Sequence, residues 1–191
     1  MDTGPALPSS LPSPKPRTSE SRTTEPKTIK PRSPELPIGD AMPIHWLAGN
    51  VVATALGNSV NMLFPAGERF FVRSVRHYLS QVSPELQKKV QGFFGQEGRH
   101  AQAHERVNNL LAEQGYDVAG FLRVYERLSY SYTERLAPPG LRLAATAACE
   151  HFTAIMADNF LRQTEFFERV DPTMRRLLLW HAAEEIEHKA V

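Results

Sequence analysis

Residues 180–189 read WHAAEEIEHK, and the prediction of the fold starts from them. On an α-helix, residues three, four and seven positions apart share a face. His181, Glu184 or Glu185, and His188 therefore form one stripe on a segment that is otherwise rich in apolar residues. Two imidazoles and a carboxylate are costly to bury side by side unless something compensates them. The stretch therefore predicts a helix that carries part of a buried binding site.

A second stripe of the same kind lies earlier, where residues 97–104 read EGRHAQAH. Both stretches contain Glu-x-x-His, once as Glu97 and His100 and once as Glu185 and His188. A single element of this kind on a helix is usually a solvated pair. Two of them in one chain indicate the two halves of one metal site.

Two further glutamates occupy core-facing positions on the other long predicted helices, Glu68 and Glu150. Carboxylate-bridged dimetal bundles use one Glu from each of two helices and Glu-x-x-His from each of the other two. Four carboxylates can neutralise two divalent ions, and an oxygen-rich site with few histidines suits Fe or Mn. The sequence therefore predicts a dinuclear site that holds two divalent metal ions, Fe or Mn.

Several assignments within this site stay open. Glu184 and Glu185 both lie within reach of the face of His188, and the symmetry of the spacing favours Glu185. An ion pair at the surface with a neighbouring arginine is the competing interpretation of Glu68; the candidates are Arg69, Arg73 and Arg76. Three surplus histidines are candidate catalytic residues, each as a further ligand, an orienting partner or a proton shuttle: His104, His151 and His181.

Composition and length exclude several classes of protein. The 191 residues suffice for one domain with a sizeable core, and the formal net charge of +1 gives no reason to expect nucleic acid as a partner. A lone cysteine, Cys149, does not suggest a secreted disulfide scaffold. No apolar run is long enough for a membrane span, and the N-terminus lacks the apolar core of a secretory signal. We expect a cytoplasmic protein with a small-molecule substrate that forms, if any oligomer, a homodimer.

Residues 1–43 differ in composition from the rest of the chain. Ten of the 15 prolines lie there, mixed with Ser, Thr and alternating charges. Such a segment buries too little apolar area to offset the entropy lost on ordering, so a disordered tail is predicted. Residues 44–191 form the predicted helical metal-binding domain.

Six helical segments are predicted. An extra N-terminal helix covers residues 45–62, and Phe64-Pro65 begins a second helix that continues to about residue 82. Ser83 and Pro84 begin the third, which should stop at Gly115. Two more cover residues 118–136 and 141–169, and residues 171–173 cap the last. No sustained period-two alternation indicates a strand, so the predicted fold class is all-α.

Four separated motifs resemble those of the bacterial family of predicted metal-dependent hydrolases, in the ferritin-like dimetal-carboxylate superfamily. They are FPAGERFF at residues 64–71, QEGRHAQAH at 96–104, EH at 150–151 and HAAEEIEHK at 181–189. The resemblance covers about residues 44–191. It implies a ferritin-like four-helix bundle, preceded here by the extra helix and the disordered tail. Members of that family continue for further helices after the last motif, so we expect the domain to be truncated at its C-terminal end.

Three functional hypotheses follow. The resemblance implies hydrolysis, in which a metal-activated water attacks a small substrate such as an ester, amide or phosphoester. The ligand set also suits an O2-activating di-iron oxidase or oxygenase, because carboxylate-rich sites on such bundles often activate dioxygen. A non-enzymatic iron-binding or helical interaction protein is the third. We rank the metal-dependent hydrolase first.

Overall fold

The computed structural model describes residues 29–191, and the disorder predicted for residues 1–28 lies outside this range. Within it the chain forms α-helices and no β-sheet, which confirms the all-α prediction. No helix in this range is long and apolar enough to cross a membrane. The helices are α1 (Val51–Arg76), α2 (Pro84–Glu113), α3 (Val118–Glu126), α4 (Pro139–Leu161), α5 (Thr164–Glu168) and α6 (Pro172–Glu187).

Side-chain caps fix where the long helices begin. The Ser83 side chain accepts a hydrogen bond from the Leu86 N–H, and Pro84 opens α2. The Asp171 side chain accepts from the N–H groups of Thr173 and Met174 at the start of α6. Because these bonds satisfy amides that have no partner within the helix, they hold the first turns in place. Both predicted N-caps are confirmed.

Several helix boundaries differ from the prediction; α1, for example, spans Val51–Arg76, whereas helical structure was expected from residue 45 to about residue 82. A single helix, α1, runs through Pro65, so the extra N-terminal helix is its first half. Pro65 is buried, and packing of α1 along α2 outweighs the one hydrogen bond that the ring removes. The long helix predicted for residues 141–169 breaks after Leu161, and the short α5 then turns Phe167 into the apolar core. Burial of that ring favours the break over a continuous helix.

Four long helices enclose one interior. The helix α1 packs against α2 and α4, and α6 packs against α4 and α2. The connection from α2 to α4 is long and contains α3 followed by a π-helical turn at Arg127–Glu134. A compact apolar cluster fills one end of the bundle; its members include Val107, Leu110, Leu111, Met174 and Leu177. The polar residues of the predicted metal site fill the next layer.

Residues 29–43 are packed rather than disordered. Ile29, Leu36 and Met42 are buried, although this stretch forms no helix. These three apolar side chains are few among the polar residues of 1–43, so the composition of the whole range did not indicate that they pack. Residues 29–43 therefore pack against the rest of the described chain, which corrects the disorder expected for them.

Candidate metal centre

The four long helices bring the predicted ligands together. Glu68 comes from α1, Glu97 and His100 from α2, and Glu150 from α4. Glu185 lies in the last turn of α6, and His188 follows directly after that helix. All of these side chains are buried except Glu150, which is partly exposed.

Glu97 and Glu185 stand between the two histidines of the Glu-x-x-His elements. His100 Nδ1 lies 3.8 Å from Glu97 Oε1 and 3.9 Å from Glu185 Oε1. His188 Nδ1 lies 3.3 Å and 3.5 Å from the same two oxygens. Each of these carboxylates therefore faces both imidazoles.

Glu68 of α1 and Glu150 of α4 each complete a group of candidate ligand atoms. His188 Nδ1 lies 2.9 Å from Glu150 Oε2, and His181 Nε2 lies 3.8 Å from Glu68 Oε1. Three sets of atoms each lie within 4.8 Å of one another and could hold an ion: Glu68, His100 and His181; Glu97, His100 and Glu185; Glu97, Glu150 and His188.

Several of these atoms have no hydrogen-bond partner although they are buried. Both carboxylate oxygens of Glu68 and of Glu97, Oε1 of Glu150, and Nδ1 of His100 are all unpaired. Buried polar atoms in folded proteins are nearly always paired, and unpaired carboxylates carry a large desolvation cost. Divalent cations would satisfy these oxygens and this nitrogen together. The residues present therefore fit a metal site.

Burial and mutual repulsion act on the carboxyl groups. Burial raises the pKa of Glu68 well above its ordinary value, and the charges of Glu185 and Glu150 raise it further. Burial raises the pKa of Glu97 in the same way, followed by the charges of Glu68 and Glu150. Without cations, these groups favour their protonated forms.

Glu185 departs from this trend because histidines surround it. Burial opposes its charge, but a hydrogen bond from His181 and the charges of His181 and His188 outweigh burial and hold the pKa of Glu185 at about 2. Burial likewise opposes a charge on His188, yet its hydrogen bond to Glu150 and the surrounding carboxylates raise its pKa. Burial lowers the pKa of His100 well below its ordinary value. His100 is therefore neutral and can offer a lone pair.

The residue before each Glu-x-x-His glutamate holds the histidine of the other helix. Glu184 Oε2 lies 2.9 Å from His100 Nε2, and Gln96 Oε1 lies 3.1 Å from His188 Nε2. These oxygens accept from Nε2–H, which leaves each Nδ1 directed at the carboxylates of Glu97 and Glu185. Glu184 thus lies outside the group and Glu185 inside it. Gln96 was not among the predicted site residues, although its place before Glu97 matches that of Glu184 before Glu185.

His181 and His104 form a hydrogen-bonded chain that starts at the centre. His181 Nε2 lies 3.0 Å from Glu185 Oε1, and His181 Nδ1 lies 2.6 Å from His104 Nε2. Asn61 Oδ1 lies 2.6 Å from His104 Nδ1, while the Asn61 amide donates to Asn108 Oδ1. Because the Asn61 oxygen can only accept, His104 carries its proton on Nδ1 and accepts from His181 Nδ1–H. Burial lowers the pKa of His104, which keeps it neutral.

His151 does not join this group. It is exposed, because the residue after Glu150 points to a different face of α4. Its side chain lines an apolar cavity of about 560 Å³ that also reaches Glu150 and His188. The three arginines that competed for Glu68 have other partners: Arg69 pairs with Glu105, Arg73 pairs with Glu134, and the Arg76 guanidinium lies 5.2 Å from the centre of the Phe94 ring.

Comparison with known proteins yields one match. The sequence profile of a family described as "Predicted metal-dependent hydrolase" matches residues 30–191. This range is most of the chain and contains every side chain of the group described above. No curated protein and no solved structure matches the chain significantly.

Proposed function

The chain belongs to the family of predicted metal-dependent hydrolases, and we propose that it is an enzyme with two divalent ions, Fe or Mn, at the centre of a ferritin-like four-helix bundle. The observation that carries the proposal is the set of buried, unpaired carboxylate oxygens on Glu68, Glu97 and Glu150. A fold would not retain such oxygens without a compensating cation, since each one lowers stability.

In this proposal Glu68 and His100 hold one ion, and Glu150 and His188 hold the other. Glu97 and Glu185 would serve both ions, in keeping with their distances from both Nδ1 atoms. The chemistry of the donors, carboxylate oxygen with a minority of imidazole nitrogen, favours Fe or Mn over softer metals.

The proposed reaction is hydrolysis of a small substrate. A bound divalent ion supplies Lewis acidity, which polarises a substrate and acidifies a water molecule. His181 is the proposed proton-transfer residue, because its Nε2 lies 3.0 Å from Glu185 Oε1 at the centre while its Nδ1–H is held by His104. His104 and Asn61 act as positioning residues that keep the proton of His181 on Nδ1.

The test compares hydrolysis by metal-loaded wild type and by the variant Glu97→Ala on panels of esters and phosphoesters. We expect the wild type to hydrolyse at least one class and the variant to lose both metal and activity. Glu105→Ala is the matched control, because Glu105 lies on the same helix but is half-exposed and pairs with Arg69 instead of the candidate ligands. A Glu97→Ala variant that keeps full activity would refute the proposed ligands.

Oxygen activation is the second candidate. The observation that favours it is that four glutamates and only two Glu-x-x-His histidines make up the proposed ligand set. Adding air to the Fe(II)-loaded protein separates the two reactions. A new visible absorption band would support oxygen chemistry, whereas an unchanged spectrum together with ester or phosphoester hydrolysis would support the hydrolase. Metal binding without either reaction would support an iron-binding protein.

A further inference from the structure

The N-terminal strap, defined as residues 29–36, lies across α2 and α6 on the outer side of the metal centre. Its first residue, Ile29, is buried. At its other end the Glu35 carbonyl accepts a hydrogen bond from Arg176 of α6 at 2.9 Å, and the Leu36 carbonyl accepts one from Arg106 of α2 at 2.8 Å. The strap is therefore attached to both helices that carry Glu-x-x-His.

Two glycines in α2 make room for the strap. A Cβ atom on Gly92 would lie 2.2 Å from the Ile29 carbonyl oxygen, and one on Gly95 would lie 2.5 Å from Cγ of Pro31. Glycine inside a helix costs about 0.5–1 kcal/mol relative to alanine. The helix gives up this stability at two positions where the strap approaches its backbone. The position of the strap is thus encoded in α2 as well as in the strap itself.

One connection runs from the strap to His100. The Arg32 N–H donates to Glu184 Oε1 at 3.0 Å, and the Arg32 guanidinium donates to the same oxygen at 3.2 Å. Glu184 is fully buried, and its other oxygen accepts from His100 Nε2–H at 2.9 Å. Arg32 supplies a compensating charge for this buried carboxylate, which in turn holds the His100 proton on Nε2.

A second connection runs from the strap to His188. The Gln96 amide nitrogen donates to the Lys30 carbonyl at 3.3 Å and to Glu187 Oε2 at 2.9 Å. These two acceptors fix the orientation of the amide, so Gln96 Oε1 must face His188 Nε2, 3.1 Å away. His188 Nε2 therefore donates, and its Nδ1 faces the carboxylates.

We propose that the strap positions the metal-binding histidines. In this proposal Arg32 and the Lys30 carbonyl are positioning groups that, through Glu184 and Gln96, keep a proton on Nε2 of His100 and of His188. The inference rests on the proposed metal site for its functional meaning, but the hydrogen bonds from Nε2–H of His100 and His188 exist in the metal-free protein as well. Displacing the strap releases Glu184 and Gln96, and the two imidazoles lose the orientation that directs Nδ1 inward.

The test uses two variants that disturb the strap by different routes. Arg32→Ala removes the guanidinium, and Gly92→Ala places a methyl group where the Ile29 carbonyl lies. Gly98→Ala is the matched control, because it adds the same methyl group to α2 where no atom lies within 4 Å. Circular dichroism checks that each variant folds.

The first measurement is the affinity of each protein for Mn²⁺. We expect Arg32→Ala and Gly92→Ala to bind more weakly than wild type, by no more than the about 10–100-fold that is usual when a direct partner of a metal-bound histidine is removed. Gly98→Ala should match wild type. Unchanged affinity in both strap variants would overturn the inference.

The second measurement needs no metal. Long-range ¹H–¹⁵N spectra of the histidine rings report which nitrogen of His100 carries the proton. We expect Nε2–H in the wild type and in Gly98→Ala, and a mixture of forms in Arg32→Ala. A wild type that binds no Mn²⁺ would refute the proposed function, while the spectra would still test the strap. Identical His100 spectra in all three proteins would refute the strap's role.

Discussion

Replacing Glu97 by glutamine should stabilise the metal-free protein while it destroys the metal site. Glu97 is buried with both oxygens unpaired, and burial raises its pKa well above the ordinary value of 4.5. Above pH 4.5 the folded state therefore keeps a proton that the unfolded chain has released. Stability of the metal-free wild type is then lost as the pH rises toward the folded pKa, by about 1.4 kcal/mol per pH unit for this one group.

The variant Glu97→Gln lacks this loss because it has no proton to release. Its free energy of unfolding, relative to that of the metal-free wild type, should therefore increase by about 1.4 kcal/mol per pH unit above pH 4.5. Urea unfolding of both proteins at pH 5, 6 and 7, in the presence of a chelator, measures the difference. Taking the difference cancels the titrating groups that lie far from Glu97, whereas Glu68, Glu150 and Glu185 respond to the loss of its charge.

Added metal should reverse the order of stability. Wild type gains stability from binding, whereas Glu97→Gln lacks a bridging carboxylate and gains less. Glu105→Gln, a half-exposed position on the same helix, should behave as wild type in both states. A Glu97→Gln variant that is less stable than wild type at every pH without metal would refute the claim that the buried Glu97 carboxylate lowers the stability of the metal-free protein.

Three further results are expected. Glu185→Gln should abolish metal binding, whereas Glu184→Gln should weaken it by about 10–100-fold, because Glu184 acts only through a histidine; equilibrium dialysis with Mn²⁺ compares them. His104→Ala should keep its metal but unfold more easily by about 1–3 kcal/mol, since its buried partners lose hydrogen bonds; urea unfolding measures this, and an unchanged midpoint would contradict it. Gly57→Ala should lower the free energy of unfolding by about 1–3 kcal/mol, because the added Cβ would lie 2.6 Å from the Trp46 ring.

Local signals in the sequence were sufficient for much of the fold. Ser83 with Pro84, and Asp171, predicted helix starts because caps act over two or three residues. The spacing of Glu97 and His100, and of Glu185 and His188, placed each pair on one face because helix geometry is regular. That these pairs meet across the bundle followed from the resemblance and from the pattern of four glutamates.

Features that depend on contacts distant in sequence could not be read in the same way. Pro65 is a strong helix-start signal, yet burial against α2 carries the helix through it. The strap looked like a tail because its composition is poor in apolar residues, and its hydrogen bonds join positions far apart, such as Arg32 and Glu184. Gly92 and Gly95 weaken the middle of α2 where the strap approaches, but Gly98 weakens it equally where no strap lies, so these glycines alone do not indicate the strap.

The central claim is that this bundle holds two divalent ions between its Glu-x-x-His elements. Elemental analysis of the protein purified without oxygen tests it most directly, beside Glu97→Ala and Glu105→Ala prepared in parallel. We expect about two Fe or Mn per chain in the wild type and in Glu105→Ala, and a near-complete loss of bound metal in Glu97→Ala. A wild type without metal, or a Glu97→Ala variant that keeps both ions, would contradict it.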